Sequence, residues 1–367
     1  MSGKATRQRS EPAPLAFIRA ISAAVAVAVS LGAAVDATGA DALFWRERSH
    51  GSDSQFTPLT SFINYAGDPL QVPASFDDDD FGSRLDEVLG NLIDPRDAIE
   101  EEGGVRAFVN RQILPIDAGE LDQAIEAIPN YALHALGGGM LYRKNAEWLA
   151  AHGYRWPRTL AAGAAMAAEI LQEVLEKRAT DADDEVADVW LFRPAGILLF
   201  NHDGFARFAA ERLRLVEWPH QPMIDPADVE LTNVGVNFVV RPTFLELGRQ
   251  SPFVYFGMNP LFGASHPIGG SDALSWGAGV AVVSADRREL GLRPSGGLFW
   301  DREDSLLAAL IANATDDFRI RLNVYPGMLP PRSAWSPGLF FGVKDDAVVV
   351  AGITVRVAPL GIAGFWR

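Results

Sequence analysis

Residues 318–325, FRIRLNVY, alternate apolar and polar side chains over eight consecutive positions. Phenylalanine, isoleucine, leucine and valine occupy the even positions, while two arginines, asparagine and tyrosine occupy the odd ones. Successive side chains of a β-strand point to opposite faces, so this stretch predicts a strand with one apolar and one polar face. The alternation recurs in VGVNFVVR at 234–241 and in VVVAGITVRV at 348–357. From residue 228 onwards, the pattern predicts about eight antiparallel strands.

Two architectures produce this pattern, and they differ in which face of the sheet meets water. In a soluble sandwich the apolar face forms the core. In an outer-membrane barrel the apolar face meets lipid, and small or polar residues line the interior. Frequent glycine and serine, and aromatic residues near the strand ends, favour the barrel. We therefore predict an α+β fold, with an N-terminal helical region followed by an antiparallel β-barrel of about eight strands over residues 218–367.

The barrel prediction gives the arginines of these strands a definite place. Arg319, Arg321 and Arg356 would lie inside the barrel, where a buried charge needs a polar partner. Asp317 and Asn323 are the candidates nearest in sequence.

The first forty residues have the composition of an export signal. Lys4, Arg7, Arg9 and Arg19 form a basic leader, and an apolar run of small residues follows at 21–34. The run is too short for a typical membrane span, so we predict a signal peptide over residues 1–40. A retained N-terminal anchor helix is the alternative. Export would place the protein in the envelope of a Gram-negative bacterium, and residues 41–82 are predicted to be a loosely structured lead-in.

Composition excludes several classes of function. The chain has 367 residues, a formal net charge of −15 and no cysteine. The negative charge argues against nucleic acid as a partner, because phosphate binding needs clustered Lys and Arg. The absence of cysteine excludes disulfides, thiolate nucleophiles and cysteine-ligated zinc. No cofactor-binding motif is present, and we predict no cofactor.

Residues 83–217 have the 3.6-residue period of helices. The predicted helices lie at 83–92, 104–113, 130–151, 158–178, 182–200 and 204–216. Pro194 is expected to kink or interrupt the fifth of them.

The stretch EILQEVLEKRATDADDEVAD at 169–188 contains the strongest concentration of acidic residues. Glu169 and Glu173 are four residues apart and share a helix face, which His134 from a neighbouring glycine-bearing helix could meet. Most of the other acidic residues in this stretch are explained by capping of a helix that starts near Thr180. We select one candidate cluster for metal binding or acid–base chemistry, with a buried network that fixes helix packing as the alternative: His134, Glu169, Glu173, Asp184 and Asp188. The network is favoured, since the cluster contains only one histidine and the H-E-x-x-H spacing is absent.

Three segments of the helical region stand in a recognisable order: PNYALHALGGG at 129–139, EILQEVLEKRATDADDEVADVW at 169–190 and RPAGILLF at 193–200. This order resembles helical segments of the VanZ-like and YfiM-like kind. Together with the downstream β pattern, it resembles a group of predicted Gram-negative outer-membrane proteins. The resemblance implies an envelope location and no established reaction.

These observations predict an outer-membrane protein with a periplasmic helical region and a structural, adaptor or lipid-contacting role. Its partners would be outer-membrane lipid and other envelope components. One alternative is an envelope enzyme that acts on lipid or cell-wall material through the His134 cluster. A second alternative is a soluble periplasmic binding protein built on a β-sandwich.

Overall fold

The computed structural model describes residues 42–72, 81–101, 103–113, 130–177, 184–286, 289–330 and 335–367. The predicted signal peptide and the predicted helix cap at Thr180 lie outside the described residues.

The N-terminal part of the described chain is helical, as the 3.6-residue period predicts. Its α-helices are α1 (Pro58–Ala66), α2 (Phe81–Ile93), α3 (Pro95–Glu101), α4 (Val105–Phe108), α5 (Gly138–Ala151), α6 (Pro157–Glu176), α7 (Glu185–Ala187), α8 (Arg193–Asn201) and α9 (Asp203–Arg207). Four π-helical segments extend or join them, at Val109–Ile113, Asn130–Gly137, Asp188–Phe192 and Phe208–Arg212. Pro194 closely follows the π-helical segment Asp188–Phe192, which joins α7 to α8, and a proline commonly causes such a local change in helix geometry. Within the described residues no helix is both long enough and apolar enough to cross a membrane.

Small residues let α5 and α8 pack closely. A Cβ on Gly139 would lie 2.6 Å from the carbonyl oxygen of Gly196, and a Cβ on Gly196 would lie 2.4 Å from that of Ala135. Either contact is shorter than any real Cβ makes, so these positions require glycine. The close approach brings the π-helical turn with His134 against the start of α8.

The segment predicted as a loosely structured lead-in is ordered over most of its described length, which corrects that prediction. It holds α1 and two 3₁₀ turns, Ser52–Gln55 and Asp68–Gln71. Thr57 caps α1 by accepting a hydrogen bond from the backbone N–H of Thr60 at 3.1 Å. The segment is ordered because its polar groups bond residues far along the chain, which local periodicity does not reveal.

The C-terminal part is one 13-stranded sheet in the order β1-β4-β5-β6-β7-β8-β9-β10-β11-β12-β13-β2-β3. Its strands are β1 (Val216–Glu217), β2 (Met223–Asp225), β3 (Glu230–Thr232), β4 (Phe238–Val240), β5 (Ser251–Phe256), β6 (Leu261–Gly269), β7 (Asp272–Asp286), β8 (Glu289–Arg302), β9 (Ser305–Ala312), β10 (Phe318–Val324), β11 (Pro337–Lys344), β12 (Val349–Val355) and β13 (Gly361–Trp366). Neighbouring strands are antiparallel except β13 and β2, which are parallel. The α+β class and the mainly antiparallel sheet are confirmed. A closed barrel of about eight strands is not confirmed, since the sheet is larger and its strand order is open.

The two ends of this strand order belong to one hairpin. Val216 pairs with Val239 in the β1–β4 ladder, and Asp225 pairs with Glu230 in the β2–β3 ladder, in the same register. The backbone N–H of Trp218 bonds the carbonyl of Asn237 at 2.7 Å between these ladders. Residues 216–225 therefore run antiparallel to 230–239 in one register, with ladders at both ends and the N–H groups of Trp218 and His220 bonded between them. This hairpin contacts β5 through β4, and β13 through β2.

The two faces of the sheet differ in an unusual way. Along β6 to β13, one face carries large apolar side chains that are exposed: Phe262, Leu274, Trp276, Leu292, Leu298, Leu310, Ile320, Leu339, Phe341, Ile353, Ile362 and Trp366. The opposite, inner face buries polar side chains among aromatic rings: Ser265, Ser275, Ser295, Asp301, Arg321, Asn323 and Thr354. In a sheet that meets water on one face, the polar side would be the exposed one.

The arginines of FRIRLNVY divide between the two environments. Arg321 is buried on the inner face, as predicted, but its neighbours are the Nε2 atom of His220 at 2.9 Å and the ring of Phe318. Arg319 was expected inside and is instead exposed, where it pairs with Asp345. A register shift between Phe318 and Ile320 breaks the strict alternation at the start of β10, which explains the difference.

Candidate functional site

Four of the five predicted site residues come together in the core of the helical region, and the fifth lies at its edge. His134 lies on the π-helical turn before α5, Glu169 and Glu173 on α6, and Asp188 on the turn before α8. These four side chains are buried, whereas Asp184 is half-buried. The Nδ1 atom of His134 contacts Oε1 of Glu169 directly, which is the pairing that the shared helix faces suggest.

Glu169 also binds two residues that the sequence did not single out. The hydroxyl of Tyr65 donates a hydrogen bond to Oε2 of Glu169 at 2.9 Å, and Nε of Arg193 lies 2.5 Å from the same oxygen. The guanidinium of Arg193 also stacks over the ring of Tyr65, 4.1 Å from its centroid. Burial alone would raise the pKa of Glu169, but the charges of Arg193 and His134 outweigh it and lower the pKa. Glu169 is therefore an ionised carboxylate with three partners.

His134 lies between two carboxylates. Its Nε2 atom is 3.7 Å from Oδ2 of Asp188, on the side of the ring opposite Glu169. Burial would lower the pKa of His134, but the charges of Asp188 and Glu169 outweigh it and raise the pKa to about 10. The imidazole is therefore protonated at neutral pH, and each ring nitrogen faces an acceptor.

Glu173 and Asp188 are the acids that the network leaves incompletely paired. One oxygen of each, Oε1 of Glu173 and Oδ1 of Asp188, is buried with no hydrogen-bond partner among the described residues. Burial and the repulsion of neighbouring carboxylates, Asp184 among them, raise the pKa of both buried acids well above the ordinary range, although the charge of His134 opposes the shift at Asp188. One turn further along α6, burial and Asp184 raise the pKa of Glu176 to about 8.

Two overlapping sets of side chains have the spacing of a metal site. Within each set, one ligand atom from every residue lies within 4.8 Å of the others: His134, Glu169 and Glu173 in one, and Glu173, Asp184 and Asp188 in the other. Oxygen ligands suit hard cations such as Mg²⁺, Ca²⁺ or Mn²⁺. The two sets share Glu173.

Sequence reasoning missed Tyr65 and Arg193 for different reasons. Tyr65 lies in the segment predicted to be loosely structured, 104 residues from Glu169, and no local pattern connects them. Arg193 had a weak signal, because it is a charged residue on a helix whose other residues are mostly apolar and it precedes Pro194. Gly138 leaves the space that the guanidinium of Arg193 occupies, since a Cβ at residue 138 would lie 2.0 Å from Nη1 of Arg193.

The site is almost closed to solvent. A narrow crevice between α1, α5 and α6 has Tyr65 and Arg193 in its lining, together with Ser61, Phe62 and Tyr142. Asp184 is the most exposed of the five predicted site residues, because it is half-buried whereas the other four are buried. Comparison of the chain with protein-family models, with curated proteins and with solved structures finds no match.

Proposed function

We propose that this protein is an outer-membrane protein whose sheet faces lipid and whose helical region lies on the periplasmic side. Its role would be structural, adaptor or lipid-contacting, with outer-membrane lipid as its main partner. The observation that supports this is the reversed polarity of the sheet, with large apolar side chains exposed and polar ones buried. That is the arrangement expected of strands with lipid outside and a polar interior.

The exposed apolar side chains form a continuous surface. Strand pairing places six outward positions side by side on neighbouring strands from β7 to β12: Trp276, Leu298, Leu310, Leu322, Phe341 and Ala351. Soluble monomers rarely expose apolar patches larger than a few hundred Å². Each Å² of apolar surface kept in water costs about 25 cal/mol, so such a surface needs an apolar neighbour. Hydrocarbon tails would cover the outward face of all these strands at once.

Closure of the sheet belongs to the same proposal. The hairpin of residues 216–240 contacts both β5 and β13, and its two strands with β5 to β13 would make a ring of eleven. A ring with an odd number of strands needs one parallel neighbour, because up-and-down strands otherwise alternate in direction. The parallel pair β13–β2 supplies it.

The filled interior favours a structural role over a general pore. Arg241 forms an ion pair with Asp301 at 2.8 Å, both buried, and Thr354 donates a hydrogen bond to Gln221 at 2.7 Å. Trp218 from the hairpin packs against Phe253 and Phe299, with ring centroids 5.9 and 5.6 Å apart. These side chains occupy the space inside the sheet, as in small barrels that conduct little.

The helical region is firmly attached to the sheet. Lys144 on α5 lies 2.7 Å from Asp53 and 3.1 Å from Glu217 on β1, and all three side chains are largely buried. The backbone N–H of Val236 donates to Asp68 at 2.7 Å. A rigid attachment of this kind would hold the helices at a fixed height above the lipid, which suits an adaptor.

Spin labelling tests the lipid contact directly. Because the chain has no native cysteine, each single-cysteine variant is labelled at the introduced position alone. Leu298→Cys and Leu310→Cys label the outer face, while Phe299→Cys and Ile311→Cys label the inner face one residue away. Leu247→Cys, in an exposed turn, is the water-facing control. In vesicles, labels at 298 and 310 should collide with oxygen and be protected from a water-soluble nickel complex. Equal nickel access at 247, 298 and 310, or release of the protein by carbonate, would support the soluble sandwich instead.

A further inference from the structure

The carboxylates at the edge of the helical core have the geometry of a cation site. One carboxylate oxygen from each of Glu173, Asp184 and Asp188 lies within 4.8 Å of the other two. Oxygens around a hard cation lie about 2.1–2.5 Å from it, so two of them can be separated by at most about twice that distance. Three oxygens with these separations can share one ion after only small shifts.

Two of the three acids also have coordinating capacity that the protein does not use. Glu173 and Asp188 are each 2% exposed, and the buried oxygens Oε1 and Oδ1 accept no hydrogen bond within the part of the chain that the structure describes. An unsatisfied buried carboxylate oxygen is costly, because desolvation is not offset by a donor. The two acids come from different elements, α6 and the turn before α8, and they converge on the same point as Asp184. A ligand between them would satisfy both buried oxygens.

The neighbouring set with His134 is a poorer choice for the ion. Glu169 in that set is already bound by His134, Tyr65 and Arg193. A cation beside Glu169 would also meet the positive charge of Arg193. Asp188 has His134 as a positive neighbour, with the Nε2 atom 3.7 Å from its Oδ2, whereas the charges that act most strongly on Glu173 come from other carboxylates. A divalent charge therefore balances this side of the network better than the other.

We propose that Glu173, Asp184 and Asp188 bind one divalent cation that prefers oxygen ligands, such as Mn²⁺, Mg²⁺ or Ca²⁺. Asp184 is half-buried and provides the entry from solvent, and water completes the coordination shell. His134 orients Asp188 from behind, as partners outside the coordination shell do in other metal sites. The ion would tie the end of α6 to the start of the next helical segment.

Mn²⁺ binding to the full-length protein in detergent tests the proposal, with free Mn²⁺ measured by electron paramagnetic resonance. The wild type should bind one Mn²⁺ per chain, and Mg²⁺ or Ca²⁺ should compete. Glu173→Gln and Asp188→Asn should each weaken Mn²⁺ binding by at least about tenfold, since even partners outside the shell act on that scale. Asp68→Asn is the matched control, because it neutralises a buried acid of the same region that belongs to neither set.

Folding of every variant is checked by near-ultraviolet circular dichroism. Asp184→Asn, at the half-buried edge, replaces either buried variant that fails to fold, and it should weaken Mn²⁺ binding to a similar extent. Mn²⁺ should also raise the melting temperature of the wild type and of Asp68→Asn, but not that of the site variants. Absence of stoichiometric Mn²⁺ binding in the wild type, or equal affinity in the site variants, would overturn the proposal and leave a proton-sharing acid network. The outcome is independent of whether the sheet contacts lipid.

Discussion

Gly138 and Arg193 compete for the same space in the helical core, because a Cβ at residue 138 would lie 2.0 Å from Nη1 of Arg193. The missing side chain on α5 thus permits a buried guanidinium on α8, and that guanidinium holds Glu169. The ion pair between Arg193 and Glu169 therefore depends on the absence of a side chain at Gly138. Changes at either position should therefore disturb the whole network.

Gly138→Ala should displace Arg193 and lower the free energy of unfolding by about 1–3 kcal/mol, the usual cost of overpacking. Gly163→Ala is the control, because Gly163 lies on α6 with open space where its Cβ would be. This second variant should be stabilising by about 0.5–1 kcal/mol, since alanine favours a helix more than glycine does. Denaturant titration of both variants measures the difference, and equal effects would contradict the steric argument.

The hydrogen bond from Tyr65 to Glu169 should be worth more than an ordinary one, because its acceptor is charged. Tyr65→Phe should cost about 1.5–3 kcal/mol of unfolding free energy. Tyr142→Phe removes a hydrogen bond of 3.1 Å to the neutral amide of Asn201 and should cost only about 0.5–1.5 kcal/mol. If the two variants are equally stable, Glu169 does not carry the charge that its partners indicate.

Asp68 should make the protein less stable as pH rises. Burial raises its pKa from 3.8 to about 7, although the N–H of Val236 and the charge of His134 oppose the shift. The folded state therefore holds this proton more tightly than the unfolded state, and its stabilising contribution is lost as pH increases from about 4 to 7. Asp68→Asn keeps an oxygen acceptor for Val236 and Gln71. It should remove this part of the dependence of the unfolding free energy on pH.

Unfolding free energies measured from pH 4 to pH 8 check this expectation. Asp68→Asn should stabilise the protein by a few kcal/mol at pH 8 and should have little effect at pH 4. If the unfolding free energy of the variant depends on pH as that of the wild type does, Asp68 ionises normally in the folded state.

An arginine substitution on the outer face of the sheet tests whether that face contacts lipid or water. Leu298→Arg should lower the stability of the membrane-inserted protein by about 2–4 kcal/mol if residue 298 lies near the middle of the bilayer. In a soluble protein, the same change at an exposed position would alter stability by no more than about 0.5 kcal/mol. Leu247→Arg, at a position 80% exposed in a turn, is the control and should be neutral in both cases. A neutral Leu298→Arg in vesicles would count against the lipid-facing sheet.

His134→Ala separates the structural network from the enzyme alternative. Removal of the imidazole leaves Glu169 and Asp188 facing a cavity, and the loss of one partner of a buried ion pair costs about 3–5 kcal/mol. We expect a large fall in melting temperature and no lost reaction. A variant with wild-type stability that has lost turnover of lipid or cell-wall material would favour the enzyme.

Much of this architecture follows from local pattern. The 3.6-residue period locates α5, α6 and the segments up to α9, and the two-residue period locates β10 with its buried Arg321. His134 and Glu169 could be selected because each is an ionisable residue on a helix face that otherwise carries mostly small or apolar residues. Arg319 could not be placed correctly, since one irregular pairing at the start of β10 reverses its direction.

The sequence by itself determined most of the helical segments, the alternating faces of the longer strands and the set of acids around His134. Only the tertiary structure decided that one hairpin contacts both β5 and β13, and that Tyr65 and Arg193 complete the network. The physical reason is the range of the interactions. Side-chain periodicity reports backbone geometry over a few residues, whereas a buried charge takes its partner from whichever segment packs against it. For Glu169 that segment includes a residue 104 positions away in the chain.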